Sequence, residues 1–248
     1  MKKKVRLFMI QKFTVEQLAH MIDHTFVKAF ATKEDMIQLC NEAKQYHFAM
    51  AAINSGQTKF CHELLKDTDI HTGAAIGFPL GQTTIASKVF EAKDALENGA
   101  DEIDYQLNIT EVKAKNWEYI EDEMKQITNL THSYNKICKV ILETCYLEKE
   151  EIKKICEIAT HVQIDFVKTS TGFGTDGAKP EDVQLMKQTV QDKVHVKASG
   201  GIRDAKTFKK MVSLGAERIG TSAGVSIVKE FEKEAKEHNG YIEIDIKY

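Results

Sequence analysis

Eight short runs of strand-forming residues alternate with amphipathic helical segments along this chain, and no Pro-, Gly- or Ser-rich linker divides them. Alternation of that kind lays parallel strands side by side with helices packed outside them. Strands are expected over residues 24–28, 48–54, 71–78, 101–108, 137–143, 164–168, 194–198 and 217–220. Between them, apolar residues recur at helical spacing, as in 84–98, where Ile85, Val89, Ala92 and Leu96 form one stripe. Thr14-Val15-Glu16-Gln17 has the form of a capping box and opens a first helix expected over 14–23. Asn98-Gly99-Ala100-Asp101-Glu102-Ile103 and Leu214-Gly215-Ala216-Glu217-Arg218-Ile219 repeat one device, a glycine C-cap that turns a helix directly into a strand. With 248 residues the pattern points to a single (β/α)8 TIM barrel, for which about 250 residues is typical. The competing architecture is an open doubly wound sheet. Residues 1–12 and 237–248 are expected to be flexible ends.

The bulk chemistry excludes several classes. A net charge of −3 gives no electrostatic argument for nucleic acid. The basic start, Lys2-Lys3-Lys4 with Arg6, reads as a solvated tail, and the apolar residues after it are too few for a signal sequence. No apolar run approaches the roughly 20 residues of a membrane span. The five cysteines form no CxxC pair, and the nine histidines form no HExxH motif. The expectation is a cytoplasmic chain without a metal.

Phe166-Val167-Lys168 ends on a charge and breaks into Thr169-Ser170-Thr171-Gly172. A lysine at a strand end is ordinarily a solvated terminus. Here a second segment has the same shape, Val194-His195-Val196-Lys197 followed by Ala198-Ser199-Gly200-Gly201. On consecutive parallel strands, about 5 Å apart, the two amines become neighbours. Burial and a like charge both favour a neutral amine, and a neutral amine adds to carbonyls. Asp104, inside Glu102-Ile103-Asp104-Tyr105-Gln106-Leu107, faces opposite to Ile103 and Tyr105 and needs a partner. An internal ion pair without a catalytic role would satisfy it. So would aldol chemistry, in which one amine condenses with the carbonyl while the carboxylate and the other amine move protons.

Two late loops suit a phosphate. Ser199-Gly200-Gly201 and Gly220-Thr221-Ser222-Ala223-Gly224 each precede a helix, after the expected seventh and eighth strands. Those are the frequent phosphate positions of a TIM barrel, built from backbone N–H groups and a helix N-terminus.

These segments, together with Gly77-Phe78-Pro79-Leu80-Gly81, Lys139-Val140-Ile141-Leu142-Glu143-Thr144 and Val196-Lys197-Ala198-Ser199-Gly200-Gly201-Ile202-Arg203, resemble the deoxyribose-phosphate aldolases, in order from about Asp23 to Ser226. The resemblance implies a cofactor-free, metal-free class I aldolase. Such an enzyme cleaves 2-deoxy-D-ribose 5-phosphate reversibly to D-glyceraldehyde 3-phosphate and acetaldehyde. It further implies that Lys168 forms the Schiff base, that Asp104 and Lys197 transfer protons, and that Gly200, Gly201, Gly220 and Ser222 hold the phosphate. Thr171, Asp23 and Thr25 fall at substrate-side positions. Tyr248 matches a terminal tyrosine that reaches the site as a proton relay, and members of the family are often homodimers.

The departures lie around the aldehyde pocket and the phosphate loop. His24-Thr25-Phe26-Val27-Lys28-Ala29 stands for the family's His-Thr-x-Leu-Lys-Pro, and Ala52-Ile53-Asn54-Ser55 for Cys-Val-Asn-Pro. Tyr105-Gln106-Leu107 replaces a smaller apolar run, and Ala223 a frequent second serine. Two other readings therefore stand beside the aldolase: a Schiff-base lyase for a different phosphosugar, and a sugar-phosphate-binding barrel without turnover.

Overall fold

In a computed structural model describing residues 9–248, ten strands and ten α-helices alternate along the chain. The strands are β1 (Met9–Phe13), β2 (Ile22–Thr25), β3 (Met50–Asn54), β4 (His71–Ile76), β5 (Glu102–Gln106), β6 (Ile137–Ile141), β7 (Phe166–Lys168), β8 (His195–Ser199), β9 (Arg218–Thr221) and β10 (Ile242–Ile246). The helices are α1 (Val15–Ala19), α2 (Lys33–Tyr46), α3 (Thr58–Leu65), α4 (Ile85–Glu97), α5 (Ile109–Lys113), α6 (Trp117–Ser133), α7 (Lys149–Val162), α8 (Pro180–Val190), α9 (Ala205–Ser213) and α10 (Gly224–Glu237).

Strands β2 to β9 close into a parallel barrel in chain order, β9 pairing back onto β2. The open-sheet alternative is thereby excluded. Closure leaves each barrel strand two faces, one into the barrel and one against the helices. Ile103 and Tyr105 of β5 are fully buried on the helix side, with Val140 of β6 and Val167 of β7. The helices answer with stripes such as Ile152, Ile155, Cys156 and Ala159 of α7. Each fully buried aliphatic side chain stabilises the fold by about 1.5–3 kcal/mol.

The barrel interior is unusual in its contents. Branched aliphatic side chains dominate such interiors, yet here the inward positions carry Asp23, Glu102, Asp104, Lys139, Lys168 and Lys197, all buried. Small residues opposite make the room. A methyl group at Gly73 would lie 2.2 Å from Met50 Sδ, and one at Gly220 would lie 2.8 Å from Ser199 Cβ and 3.3 Å from Lys197 Cε.

Two expectations are corrected. The first strand is β2 at Ile22–Thr25, not 24–28, because α1 stops at Ala19 and Val27 and Lys28 already belong to the exit loop. Asp23 therefore sits on a strand and points inward instead of ending a helix. The Thr14 capping box does form, with Gln17 N–H 3.1 Å from Thr14 Oγ1 and Thr14 N–H 2.9 Å from Gln17 Oε1. Of the expected flexible ends, residues 1–8 lie outside the described residues, while 9–12 and 242–246 belong to strands. β1 and β10 pair antiparallel from Met9↔Ile246 to Phe13↔Ile242. Ile242, Ile244 and Ile246 are buried while Glu243 is exposed, the period-two pattern of a half-buried strand.

Candidate active site

Lys168 is the last residue of β7, and the strand register sets it directly beside Lys197 of β8. Both amines reach one carboxylate oxygen. Lys168 Nζ lies 2.8 Å and Lys197 Nζ 2.6 Å from Asp104 Oδ2. Asp104 Oδ1 accepts from Lys139 Nζ at 2.8 Å. Beneath that layer Lys139 pairs with Glu102, Lys197 with Asp23, and Arg218 with both carboxylates, at 2.7 Å from Nε to Asp23 Oδ1 and 3.0 Å from Nη2 to Glu102 Oε1. His71 Nδ1, 2.6 Å from Glu102 Oε1, closes the file at the N-terminal end of the strands.

Four cations, Lys139, Lys168, Lys197 and Arg218, thus face three carboxylates, Asp23, Glu102 and Asp104. A buried cluster with one surplus charge relieves itself most cheaply by losing a proton from its least compensated member. That member is Lys168. Burial lowers its proton affinity, Lys197 and Lys139 lower it further, and Asp104 alone opposes them, leaving the amine at about 8. Burial works against the Asp104 charge, but the ammoniums of Lys139, Lys168 and Lys197 outweigh it and hold the carboxyl well below the usual range. Lys139 is driven the other way. Burial pushes it down, and Asp104, Glu102 and Asp23 together pull it above an ordinary lysine.

Above Lys168 opens a cleft of about 300 Å³ at the C-terminal ends of the strands, where barrel active sites lie. Thr25, Thr171, Gly200, Gly201, Gly220 and Ser222 line it with Lys168. Gly200 and Gly201 adopt φ of 85° and 78°, values an L side chain rarely takes, and they free the loop's backbone to face the cleft. The loop after β9 leads straight into α10, whose N-terminal N–H groups and dipole favour an anion. A smaller chamber of about 20 Å³ continues inward between Val27, Ala52, Ala75, Phe78, Asp104 and Lys168. Thr25 and Thr171 also line it, and its size suits little more than one water molecule.

Of the residues singled out from sequence, Lys168, Asp104 and Lys197 meet as a hydrogen-bonded trio, and Thr25, Thr171, Gly200, Gly201, Gly220 and Ser222 surround one cleft. Two are placed elsewhere. Asp23 is fully buried beneath the cleft as the partner of Lys197 and Arg218, so it supports the site without lining it. Tyr248 is not brought to Lys168. Its ring lies 5.1 Å from Lys187 Nζ, which itself pairs with Glu217 ahead of β9, at the opposite end of the barrel. Sequence reasoning missed Lys139, Glu102 and Arg218 inside the barrel, and Lys28 and Arg203 on the cleft wall. Lys28 Nζ sits 5.0 Å from the ring centroid of Phe173.

A parallel barrel holding a buried amine of lowered proton affinity, a carboxylate and a second amine below an anion-friendly cleft has the equipment of a carbonyl-condensing lyase. Comparison with known proteins gives the family. The profile of the DeoC/LacD family aldolases matches residues 17–231. A deoxyribose-phosphate aldolase of Lactobacillus acidophilus is 57% identical over 234 residues, covering 94% of this chain and 99% of that relative. One of Bacteroides thetaiotaomicron is 48% identical over 233 residues, covering 94% and 98%. The deoxyribose phosphate aldolase of Aeropyrum pernix, described as tetrameric, superposes with a TM-score of 0.83 at 33% identity, covering 89% of this chain and 93% of that one. The chain belongs to the DeoC/LacD aldolase family and is a carbon–carbon lyase.

Proposed function

We propose that this aldolase reversibly cleaves 2-deoxy-D-ribose 5-phosphate to D-glyceraldehyde 3-phosphate and acetaldehyde through an imine on Lys168, without a metal or cofactor. The observation that carries the reading is the amine of Lys168, lowered to about 8 and held against Asp104 beside Lys197. At neutral pH a useful fraction of it is a free base.

The neutral amine adds to the C1 aldehyde of the open-chain sugar, and loss of water gives a protonated imine. A base takes the proton of the C3 hydroxyl, the C2–C3 bond breaks, and its electron pair flows into the imine, leaving an enamine. D-Glyceraldehyde 3-phosphate departs. Protonation of the enamine carbon and hydrolysis release acetaldehyde and restore the amine. Asp104 and Lys197 hold the protons these steps exchange, directly or through a water in the small chamber. Gly200, Gly201, Gly220 and Ser222 take the phosphate with backbone and hydroxyl donors, and Arg203 and Lys28 add charge from the rim. Thr25 and Thr171 contact the sugar between the two ends.

The five thiols are free, which suits a reducing, cytoplasmic compartment. Among the described residues no helix is long and apolar enough to cross a membrane. Self-association, as a dimer or a larger assembly, belongs to the same reading and is supported by the tetrameric relative.

Borohydride reduction in the presence of acetaldehyde, followed by peptide mapping, tests the assignment. A reduced two-carbon adduct on Lys168, absent from Lys168→Ala, is expected. No adduct on folded protein sinks the imine mechanism and favours a binding-only barrel. An adduct on Lys197 keeps the reaction and reverses the roles of the two lysines.

A further inference from the structure

The exit of β6 carries a buried carboxylate that the reaction does not use. Glu143 is 3% exposed and holds a left-handed backbone, φ 54° and ψ 62°. Residues other than Gly, Asn and Asp adopt that conformation rarely, and only where surrounding contacts over-determine it. The contacts here lead across to the exit loop of β7. The N–H of Thr171 lies 3.2 Å from Glu143 Oε1 and 3.3 Å from Oε2, and the Thr171 hydroxyl donates to Oε2. Thr171 Oγ1 in turn accepts the N–H of Phe173 at 3.0 Å. One carboxylate therefore fixes both donors of Thr171 and, through it, the peptide of Phe173.

Backbone bonds flank this contact. Leu142 N–H lies 2.9 Å from the carbonyl of Lys168, and Thr144 N–H lies 2.9 Å from that of Thr169. Behind the carboxylate the space is closed, since a methyl group at Gly174 would come within 3.0 Å of Glu143 Cδ and 2.6 Å of Cys145 Sγ. Burial pushes the Glu143 carboxyl up, and the Thr171 donors oppose that by binding its charged form. Thr171 itself lines the small chamber with Lys168 and Asp104. The loop it anchors begins at the residue after Lys168.

We propose that Glu143 is a positioning residue: by gripping Thr171 it holds the β7 exit loop so that the Lys168 amine stands at attack distance from the carbonyl carbon. The proposal rests on Lys168 as the imine-forming residue. Displacing a reacting group by about 1 Å costs on the order of 100-fold. The phosphate loops come from β8 and β9 and make no hydrogen bond to Glu143; they touch the loop it grips only through neighbours such as Ser199, whose hydroxyl donates to the carbonyl of Ser170 at 2.6 Å, so anion binding responds less than imine formation.

Three full-length variants test this. Glu143→Asn keeps a side chain that tolerates the left-handed backbone but cannot span to Thr171. Glu143→Gln keeps the reach and one acceptor. Thr171→Val keeps the shape and the N–H but removes the hydroxyl. For each, the rate of borohydride-trapped adduct formation with acetaldehyde is read beside inhibition by inorganic phosphate and the thermal midpoint. Trapping is expected to fall about 100-fold in Glu143→Asn. It should fall within about tenfold in Glu143→Gln and Thr171→Val, the size of one weakened hydrogen bond. Phosphate inhibition is expected to change less than the trapping rate in each variant. Wild-type trapping rates in Glu143→Asn overturn the proposal. So does a parallel loss of trapping and phosphate binding, which makes Glu143 a general structural residue. Should Glu143→Asn not fold, Thr171→Val decides, and an unchanged trapping rate there overturns it equally. Absence of any Lys168 adduct in the wild type is a separate outcome, removing the Lys168 assignment on which the proposal stands.

Discussion

Lys139 and Lys168 share the inside of one barrel, both buried, both bonded to Asp104, and they titrate in opposite directions. Lys139, on the barrel floor, has Glu102 and Asp104 as direct partners and Asp23 at 4.0 Å. Lys168, at the mouth, has one carboxylate oxygen and shares it with Lys197. Burial alone pushes both amines towards neutrality. The difference is the local count of carboxylates per amine, and it makes the floor a closed ion-pair network and the mouth a nucleophile. The floor also acts on the mouth, because Lys139, Lys197 and Arg218 already balance the three carboxylates, so a proton on Lys168 is the surplus charge.

Removing Asp104 breaks the comparison most severely. Asp104→Asn takes the carboxylate from all three lysines at once. Proton transfer by a positioned group contributes about 10²- to 10⁴-fold, and kcat for deoxyribose 5-phosphate cleavage is expected to fall by that much. The sign at Lys168 is informative. Asp104 is the group that raises its proton affinity, so the variant's amine becomes more neutral, not less. The residual rate should therefore lose its dependence on pH near 8 and extend to lower pH. A residual rate that instead needs higher pH than the wild type contradicts this balance of charges.

How much of this contrast was legible in the sequence follows the range of the signals. The barrel was readable because strand and helix periods alternate locally and the two glycine-capped turns repeat. Lys168 and Lys197 were readable because each ends an apolar run in the same way, so each motif vouched for the other. Lys139 carried a signal that went unused: it stands at the centre of Ile137-Cys138-Lys139-Val140-Ile141, where no solvated lysine belongs. Glu102 lies two residues before Asp104 and so shares its face. It and Arg218 follow glycine turns, where charged residues normally mark the solvated start of a strand, and only the closed barrel reveals them as partners. The β1–β10 pairing joins the two ends of the chain, and its Ile242-Glu243-Ile244-Asp245-Ile246 alternation had no visible partner. Tyr248 follows from that pairing, since the strand before it carries the terminus to Lys187.

Lys197 sharpens the comparison at the mouth. Of the two cations that lower the Lys168 amine it has the larger effect, so Lys197→Met is expected to move that amine upward. The sign runs from charge to rate: a higher proton affinity means less free base at neutral pH. Acetaldehyde trapping should then rise about tenfold per pH unit over a range extending to the alkaline side of 8. The wild type should already level off near 8. The kcat for cleavage should also fall even at high pH, because a proton carrier is missing. A profile identical to the wild type would show that Lys197 does not set the Lys168 charge.

Lys139 gives the smallest effect on rate and the clearest separation of floor from mouth. It touches neither cleft nor chamber, yet it also lowers the Lys168 amine, more weakly than Lys197. In Lys139→Met three cations remain for three carboxylates, so protonated Lys168 now completes the balance. The trapping profile should shift in the same alkaline direction as in Lys197→Met but by less, and the high-pH plateau should match the wild type. The larger cost falls on the fold. Glu102 keeps Arg218 and His71 but loses its buried ammonium, and removing one member of a buried pair costs about 3–5 kcal/mol. Urea unfolding measures that loss. Because protonating Lys168 restores the missing charge, the deficit against wild type should be smallest and level below about pH 8 and widen as pH rises from 8 towards the variant's higher amine. A deficit independent of pH across that window would mean that the floor and the mouth are not electrostatically joined.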